Sequence, residues 1–425
     1  MANSDGQGGS AYPKSVQAGI PRLEVPDGWT TPKIGKLFKV VKRPVDLVDD
    51  EEYQLVTARR NRGGIVARER LRGKNILTKS QFRVAEGDFL ISRRQIAHGA
   101  CGIVPAELDG AVVSNEYAVL RPTDLLDIGY MRHLPHSIYF QQTCFHSSIG
   151  VHVEKLVFNL EDWFHWKIAI PGVPMQQEIA GLLDAWDNAV VVSRATEKLK
   201  ARGFRALSRK IFSPFLGGRS PLKRLFHSPE SGAWGDEPDT GANQKVVRNA
   251  DFIQGGRISL EKAPFRKLNS HEMAKTQLCR DDILLEKSGG SPDQPVGRVA
   301  LYDHETNAGF SNFLMRLRTK TNVDPRFAYH LMNTLYLNGR PHRFQQQTTG
   351  IRNLEWRDYL MQGVSVPAVS DQVIVANACE SFRHSWLEQG QLGKRIASQR
   401  HAVRKKVLDG HLCPSSAKAA EDAPA

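Results

Sequence analysis

Short clusters of arginine, lysine, asparagine and glutamine recur along this chain of 425 residues, and such side chains can recognise nucleic-acid bases. Arginine and lysine present donors that suit the guanine edge, whereas the amides of asparagine and glutamine match the adenine edge. The clusters of the first half are Arg59, Arg60, Asn61 and Arg62; Arg93, Arg94 and Gln95; and a predicted polar loop with Tyr139 and Gln142. The clusters of the second half are Arg248 and Asn249; Lys287 and Ser288; and Arg343, Gln345 and Gln346. Any single cluster could be no more than solvated surface, so the prediction depends on three clusters recurring in each half.

The overall charge agrees with a polyanionic partner. Lysine and arginine number 58 against 45 acidic residues, which gives a formal net charge of +13. Each phosphate that such a surface neutralises releases counterions and adds affinity, although a merely soluble basic protein would have the same balance. The N-terminal stretch is polar, no run approaches ~18 apolar residues, and the five cysteines are widely separated. We therefore expect a cytoplasmic protein with no signal peptide, no membrane span and neither disulfides nor zinc.

No segment of the sequence indicates catalysis. The chain has neither the Asn/Asp-Pro-Pro-aromatic loop of a DNA methyltransferase nor the Gly-x-x-x-x-Gly-Lys-Ser/Thr loop of a nucleotide-binding protein. The nearest candidate for a nuclease metal site is Asp281, Asp282 and Glu286, but the related segment of the first half lacks two of these three carboxylates. We interpret this segment as the turn that leads into a strand. No catalytic residue, metal or cofactor is therefore expected on this chain.

Four short segments recur in the same order, which indicates an internal duplication. In each half, short apolar runs bounded by glycine, proline or aspartate predict strands. The duplication therefore predicts two halves of similar structure. The matching pairs are residues 63–65 and 255–258, 86–94 and 280–287, 102–104 and 297–299, and 114–121 and 311–318.

A long amphipathic helix is predicted after each half. From Met175 to Phe212 there is no proline, and apolar residues recur at a partial three–four spacing; a second stripe of this kind follows Pro367. The first stretch has 38 residues, about 57 Å of helix at ~1.5 Å per residue. Two such helices can bury their stripes against each other, most economically as an antiparallel pair. The seam between them, or with a partner, is predicted to contain Ile179, Leu183, Trp186, Val190, Phe382, Trp386 and Ile396.

Several motifs together indicate a family. They are PDGW at 26–29, IGKL at 34–37, GDFLISR at 87–93, VSNEY at 113–117, QQEIA at 176–180 and TGIRNL at 349–354. With them, residues 23–412 resemble the specificity subunit of type I restriction-modification systems. The second helix begins DQVIV at 371–375 instead of the acidic-Gln-Ile-Ala start usual in that family, so its register stays open.

The resemblance implies an α+β (mixed) fold with two tandem α/β target-recognition domains and two long helices that form an antiparallel coiled coil. The expected divisions are a flexible tail (1–22), a first recognition domain (23–173), a central helix (174–213), a linker with a second recognition domain (214–369), a C-terminal helix (370–412) and a disordered tail (413–425). The Gly-, Pro- and Ser-rich residues 213–242 are the expected linker.

The resemblance also implies a non-catalytic function. Each recognition domain would read one half of a bipartite double-stranded DNA target, while the helices set the spacer and dock two methyltransferase subunits. Restriction/translocase subunits would join through the complex, and S-adenosylmethionine, ATP and Mg would bind to the partner subunits only. The alternatives are the recognition part of another restriction-methylation enzyme and a free-standing two-domain DNA-binding regulator, which would bind DNA without partners.

Overall fold

The chain folds into two compact units, Met1–Val191 with Arg395–Ala425, and Val192–Lys394. The computed structural model describes Gly19 and residues 22–152, 155–241, 243–291, 294–348 and 351–414. The two predicted tails therefore lie outside the described residues, apart from Gly19, Arg22, Cys413 and Pro414. Among the described residues, no helix combines the length and apolar character needed to cross a membrane.

The first unit consists of short strands and short helices that precede a long helix. Its strands are β1 (Phe38–Val40), β2 (Pro44–Val45), β3 (Glu52–Ala58), β4 (Ile65–Arg72), β5 (Gln81–Arg83), β6 (Phe89–Ser92), β7 (Cys101–Ile103), β8 (Val112–Ser114), β9 (Tyr117–Pro122), β10 (Ser148–Ile149) and β11 (Val157–Phe158). Its helices are α1 (Ile128–His133), α2 (Ile138–His146) and α3 (Leu160–Phe164), followed by the start of the long helix α4 (Val173–Phe212).

The second unit repeats this plan. Its strands are β12 (Leu216–Pro221), β13 (Glu230–Ser231), β14 (Gln244–Val247), β15 (Phe252–Ile253), β16 (Arg257–Ile258), β17 (Phe265–Arg266), β18 (Ile283–Glu286), β19 (Ser288–Gly289), β20 (Val299–Leu301), β21 (Gly309–Phe310), β22 (Leu314–Leu317), β23 (Gln345–Thr348), β24 (Ile351–Leu354) and β25 (Gly363–Val364). Its helices are α5 (Ser270–Thr276), α6 (Pro325–Leu337) and α7 (Trp356–Tyr359), followed by the start of the long helix α8 (Val369–Leu408).

The central sheets of the two units have the same strand order. One is β1-β9-β6-β7 and the other is β13-β22-β18-β20, and all their pairs are antiparallel. The middle strands β6 and β18 are buried along their whole length. In addition, β3 pairs with β8 in parallel in the first unit, as β14 pairs with β21 in the second. This shared order confirms the duplication predicted from the sequence.

A buried aspartate fixes the turn before each middle strand. Asp88 accepts hydrogen bonds from Arg43 at 2.6 Å and from Arg121 at 2.8 Å, and Asp282 accepts two from Arg318 at 2.7 and 2.8 Å. Each carboxylate also accepts from the backbone N–H three residues earlier, at 2.8 Å. A buried carboxylate needs partners of this kind because its desolvation is costly. The acidic turns that the sequence repeats are therefore structural.

A buried glutamine joins the start of each long helix to the short helix before it. The Gln176 side chain accepts from the backbone N–H of Asp127 at 2.8 Å and donates to two backbone carbonyl oxygens at 2.9 Å. Gln372 likewise accepts from the N–H of Asp324 at 2.9 Å and donates to two carbonyl oxygens. Asp127 and Asp324 in turn cap α1 and α6. The equivalence of Gln176 and Gln372 settles the register of the second long helix.

Within the first unit, α4 and α8 pack antiparallel. Ile179 and Leu183 of α4 share one core with Val407 of α8, and Asp187, further along α4, accepts from Arg404 at 2.7 Å. In the second unit, the contacts between α4 and α8 also show an antiparallel arrangement. The Phe204 ring stacks on Trp386 at 5.7 Å, whereas Ser193, earlier on α4, accepts from Gln389, later on α8. The predicted antiparallel pairing is thus present in each unit.

Burial along the long helices agrees with a spacing of three and four, and Phe382 is the one predicted seam residue that is exposed. Val190 is buried, while Trp186 and Ile396 are half-buried. Phe382 is 53% exposed, because the neighbouring Arg383 takes the inward position. Arg383 is buried, where it donates to Glu380 and to the backbone oxygen of Gly255. Phe382 therefore lies outside the seam between the helices, and its place in a seam with a partner stays a prediction.

The predicted linker is also partly wrong. Its residues include β12, which pairs antiparallel with β25. Gly218 and Gly363 permit this pairing, because a Cβ on Gly218 would lie 2.3 Å from the backbone carbon of Val364. The glycines that resemble a flexible segment in the sequence serve a close backbone approach instead.

Replacing Gln176 by alanine is expected to lower the free energy of unfolding by about 1–3 kcal/mol, since buried backbone groups lose their partners. The neighbouring Gln177 is exposed and provides the control. Urea unfolding of the full chain measures the effect as a lower urea concentration at the midpoint of the unfolding transition. An equal shift for Q176A and Q177A would contradict the role of the buried glutamine.

Candidate nucleic-acid interface

The first two predicted clusters of the first unit meet at the tip of the β3–β4 hairpin. The Nε of Arg60 donates to the Oε1 of Gln95 at 2.8 Å. The backbone N–H groups of Asn61 and Arg62 donate to carbonyl oxygens of the turn after β6, at 2.7 and 2.8 Å. Residues 59–62 and 93–98 therefore form one continuous surface, which we call the arginine turn.

The backbone of the arginine turn is held in an unusual conformation. Asn61 and Arg62 both have φ of 58°, in the left-handed region. Such a conformation costs a residue with a side chain roughly 1–2 kcal/mol, so it needs support from its surroundings. The two backbone hydrogen bonds supply that support. Burial lowers the pKa of the Arg62 guanidinium, with an opposing contribution from Cys101.

Three of the five arginines of this surface, Arg59, Arg93 and Arg94, differ in their availability for contact with DNA. Arg59 is exposed and its side chain forms no hydrogen bond with the described residues, whereas Arg94 forms an ion pair with Glu116 at 2.7 Å. Arg93 is half-buried and borders an open cavity of about 220 Å³ that Lys42 also lines. Its Nε has no hydrogen-bond partner among the described residues. Arg59 and Arg93 are therefore better placed than Arg94 to contact a phosphate or a base.

The predicted polar loop with Tyr139 and Gln142 is wrong. Both residues belong to α2, which Ser137 caps by accepting from the N–H of Phe140. Gln142 is fully buried, and Tyr139 is half-buried beside residues of the α8 end in the same unit. A buried side chain cannot reach a base edge, so Gln142 does not belong to the candidate interface.

In the second unit, the first predicted cluster is occupied by internal contacts. Arg248 forms an ion pair with Asp251 at 2.9 Å, and this hydrogen bond raises the pKa of Arg248. The Nδ2 of Asn249 donates to Glu286 and to the backbone oxygen of Ser288, both at 2.7 Å. Because both amide hydrogens of Asn249 are committed, this side chain lacks the donor that adenine requires. Asn249 instead positions the turn at Ser288.

Lys287 and Ser288 follow β18 as Arg93 follows β6. The backbone N–H of Lys287 donates to Phe313 O at 3.0 Å, and that of Arg93 donates to Glu116 O at 2.8 Å, at the equivalent place. The Nζ of Lys287 donates to the Ser231 hydroxyl at 2.7 Å. Burial lowers the pKa of Lys287, and the nearby charge of Lys275 lowers it further. An anion bound here would oppose both effects, because an opposite charge favours the charged form of Lys287.

The remaining clusters of the second unit meet in one small sheet. Strands β19, β24 and β23 are hydrogen-bonded in that order, and we call them the glutamine sheet. Ser288 and Gln346 lie directly opposite Asn353, one on each side. Gln346 is exposed and Gln345 half-buried, while Arg343 is exposed in the turn before β23. The predicted Ser288, Gln345 and Gln346 are thus brought together.

Sequence reasoning missed Arg352 and Asn353 in this sheet. Both belong to the TGIRNL segment, whose Thr349 and Gly350 lie outside the described residues. The signal was present in the sequence, since an Arg-Asn pair between apolar residues matches the base-reading chemistry sought elsewhere.

Carboxylates that could hold a metal have arginine partners instead. Asp282 pairs with Arg318, and Glu286 accepts from Arg298 at 2.7 Å, so the nuclease-like spacing in the sequence serves two separate ion pairs. Another acidic group, Asp184 and Asp187 with His133, has three potential ligand atoms within 4.8 Å of one another. Guanidinium groups surround it: Asp184 accepts from Arg132, and Asp187 accepts from Arg400 and Arg404. Their positive charge opposes a metal cation at this place.

Comparison with known proteins identifies the fold. No family model matches the chain. In sequence it is similar to the type I restriction enzyme StySPI specificity subunit of Salmonella potsdam, at 22% identity over 344 residues that cover 73% of each chain. The resemblance that the sequence motifs indicated is thereby confirmed.

Solved structures share the architecture at low sequence identity. The HsdS subunit from Thermoanaerobacter tengcongensis has a TM-score of 0.54 at 14% identity, over 92% of this chain and 99% of that chain. A chain from a study of complex assembly and conformational transition of the type I R-M system has a TM-score of 0.58 at 14% identity, over 92% and 100%. The type I restriction-modification S subunit from M. genitalium has 0.51 at 13% identity, over 91% and 98%. The predicted fold is therefore confirmed.

The different environments of Arg59 and Arg94 predict different contributions to DNA affinity. R59A is expected to reduce the dependence of log affinity on log salt by about 0.9, the value for one phosphate contact. R94A is expected to change it less, because Glu116 already neutralises Arg94. Titration of duplex DNA at several salt concentrations measures both slopes. A larger change for R94A than for R59A would contradict this assignment.

Proposed function

We propose that this chain is the DNA-recognition subunit of a type I restriction-modification complex, in which each unit reads one half of a bipartite target. The observation that carries the proposal is a contrast between scaffold and surface. The central sheets have one strand order, but an arginine turn occupies the first unit and a glutamine sheet the second. Recognition of two different half-sites requires such a combination, in which similar scaffolds carry different DNA-contacting side chains.

The equivalence of individual positions supports the proposal further. Arg93 and Lys287 occupy the same place after the middle strand, and both are cationic. The residues before them differ: Ser92 in the first unit corresponds to Glu286 in the second, which holds Asn249. Cations at equivalent places suit phosphates, which are the same in both half-sites, whereas base-specific contacts have to come from exposed side chains that differ between the units.

Partner subunits complete the proposal. We assign methylation and DNA translocation or cleavage to methyltransferase subunits, two in number, and to restriction/translocase subunits, which would also bind S-adenosylmethionine, ATP and Mg. The chain itself is proposed to be non-catalytic. Apolar side chains exposed on the long helices suit docking of a partner: Val192 (63%), Leu199 (65%), Ile374 (67%) and Phe382 (53%).

Affinity purification of the chain from its native cell is expected to recover a methyltransferase chain in stoichiometric amount.

The equivalent cations give a matched test of the two readers. R93A is expected to weaken or relax recognition of one half-site, and K287A of the other. Selection from a random duplex library by the purified complex, followed by titration of variant duplexes, measures recognition at each half-site. Equal losses at both half-sites for either variant would contradict the assignment of one reader to each unit.

The prediction that the long helices set the spacer is tested by shortening both. Removal of Val191–Glu197 from α4 and Gly390–Ile396 from α8 deletes one heptad from each and keeps the seam positions in phase. The loss of about 10 Å of helix is expected to shorten the permitted spacer by about 3 base pairs and to leave both half-sites unchanged. Selected duplexes with an unchanged spacer would contradict the prediction. Removal of Val191–Glu197 from α4 alone leaves the two helices unequal in length and disrupts their pairing. This variant is the control that shows what loss of helix pairing does to folding.

A further inference from the structure

One face of the glutamine sheet points away from the core of the second unit. In β24, Leu354 is buried in the core, whereas Ile351 is 47% exposed. Because successive side chains of a strand point to opposite faces, Ile351 and Asn353 share the face opposite to that of Leu354. This is the face that a ligand outside the unit would meet.

A row of polar side chains crosses that outward face. Residues directly opposite each other on neighbouring strands share a face, with their Cβ atoms about 4.5–5.5 Å apart. By register, Ser288, Asn353 and Gln346 therefore stand side by side. The Ser288 hydroxyl donates to the Oδ1 of Asn353 at 2.7 Å, which fixes the middle of the row. Gln346 at its end is exposed.

The chemistry of this face matches one kind of base pair. The amide of a glutamine can donate to N7 of adenine and at the same time accept from the N6 amino group. An apolar side chain can contact the methyl group of thymine. Gln346 offers the amide, and Ile351 offers the exposed apolar side chain. A two-stranded ribbon such as β23–β24 fits the major groove, which is about 12 Å wide.

We infer that the β23–β24 ribbon reads an adenine–thymine pair in the major groove, with the Gln346 amide on adenine and the Ile351 side chain on the thymine methyl. This inference rests on the proposed function, and it adds the base pair and the side chains that specify it. Asn353 and Ser288 are positioning residues, since they hold the row in place. Asn249 does not take part, because its donors are committed to Glu286 and Ser288.

The surroundings of the row agree with this assignment. Arg343 is exposed immediately before β23, where a guanidinium suits the phosphates beside the groove. The first unit contrasts with the second, because arginine dominates its turn and arginine favours guanine. The half-site that depends on the second unit should therefore contain the adenine–thymine position that Gln346 specifies.

The test uses the full chain in the complex in which it is purified. Wild-type protein selects its target from a random duplex library, and affinities are then measured for duplexes with single base-pair changes. Wild type is expected to prefer A·T at one position of one half-site by about 5- to 150-fold, the range for one bidentate contact. Q346A and the isosteric Q346E, which lacks the amide donor, should lose that preference. Q391A, at an exposed glutamine of α8, should keep it.

A second measurement isolates the methyl contact. Replacing thymine by uracil at the same position removes only the methyl group, so wild type should bind more weakly while I351A should bind both duplexes equally. Unchanged base preference in Q346A, or a loss confined to a G·C position, would overturn the inference while leaving the bipartite target intact. Failure of wild type to select any bipartite target would instead contradict the proposed function and the inference with it. Thermal unfolding of each variant checks that the fold is retained.

Discussion

The hydrogen bonds of one buried glutamine in each unit link the long helix to the domain before it. Gln176 and Gln372 are buried, and each forms hydrogen bonds with three backbone groups at the first turn of the helix. A buried polar group without partners is costly, so the amide can occupy this place in only one orientation. The direction in which each long helix leaves its domain follows from that constraint.

A second buried element keeps the surface turns in place. Asp88 and Asp282 bind the arginines at the ends of β9 and β22, and thereby fix the middle strand of each sheet. The turns that follow these strands carry the candidate contacts. Their residues differ between the units while the buried framework is the same, since a surface residue can change without loss of packing. Duplication followed by divergence of the turns explains how one scaffold can present two different readers.

Much of the fold follows from the sequence, because its strongest signals are those of burial. The repeated acidic turn and apolar strand predicted β6 and β18, and the proline-free amphipathic stretches predicted α4 and α8. The errors arose where pattern alone does not determine which face is buried. Arg383 replaces Phe382 at an inward position because Glu380 and a backbone oxygen satisfy its charge, and tertiary partners of this kind leave no local signal.

The candidate interface was less predictable than the fold. Polarity predicted Gln142 and Asn249 as readers, but one is buried in a helix and the other has committed its amide hydrogens. The convergence of Arg60 with Gln95, and of Ser288 with Gln346, depends on strand register. Register between distant segments is set by tertiary pairing, so a single sequence could give the residue types but not their neighbours.

We propose that one chain contributes two unlike DNA-reading units to a methylating complex. Genome-wide mapping of DNA methylation in the native cell, with the gene intact and with the gene removed, tests it most directly. We expect methylation at one bipartite motif, with two short specific halves around an unspecified spacer, and we expect this methylation to disappear when the gene is removed. Methylation that is unchanged by the removal, or whose lost motif is a single undivided sequence, would contradict it.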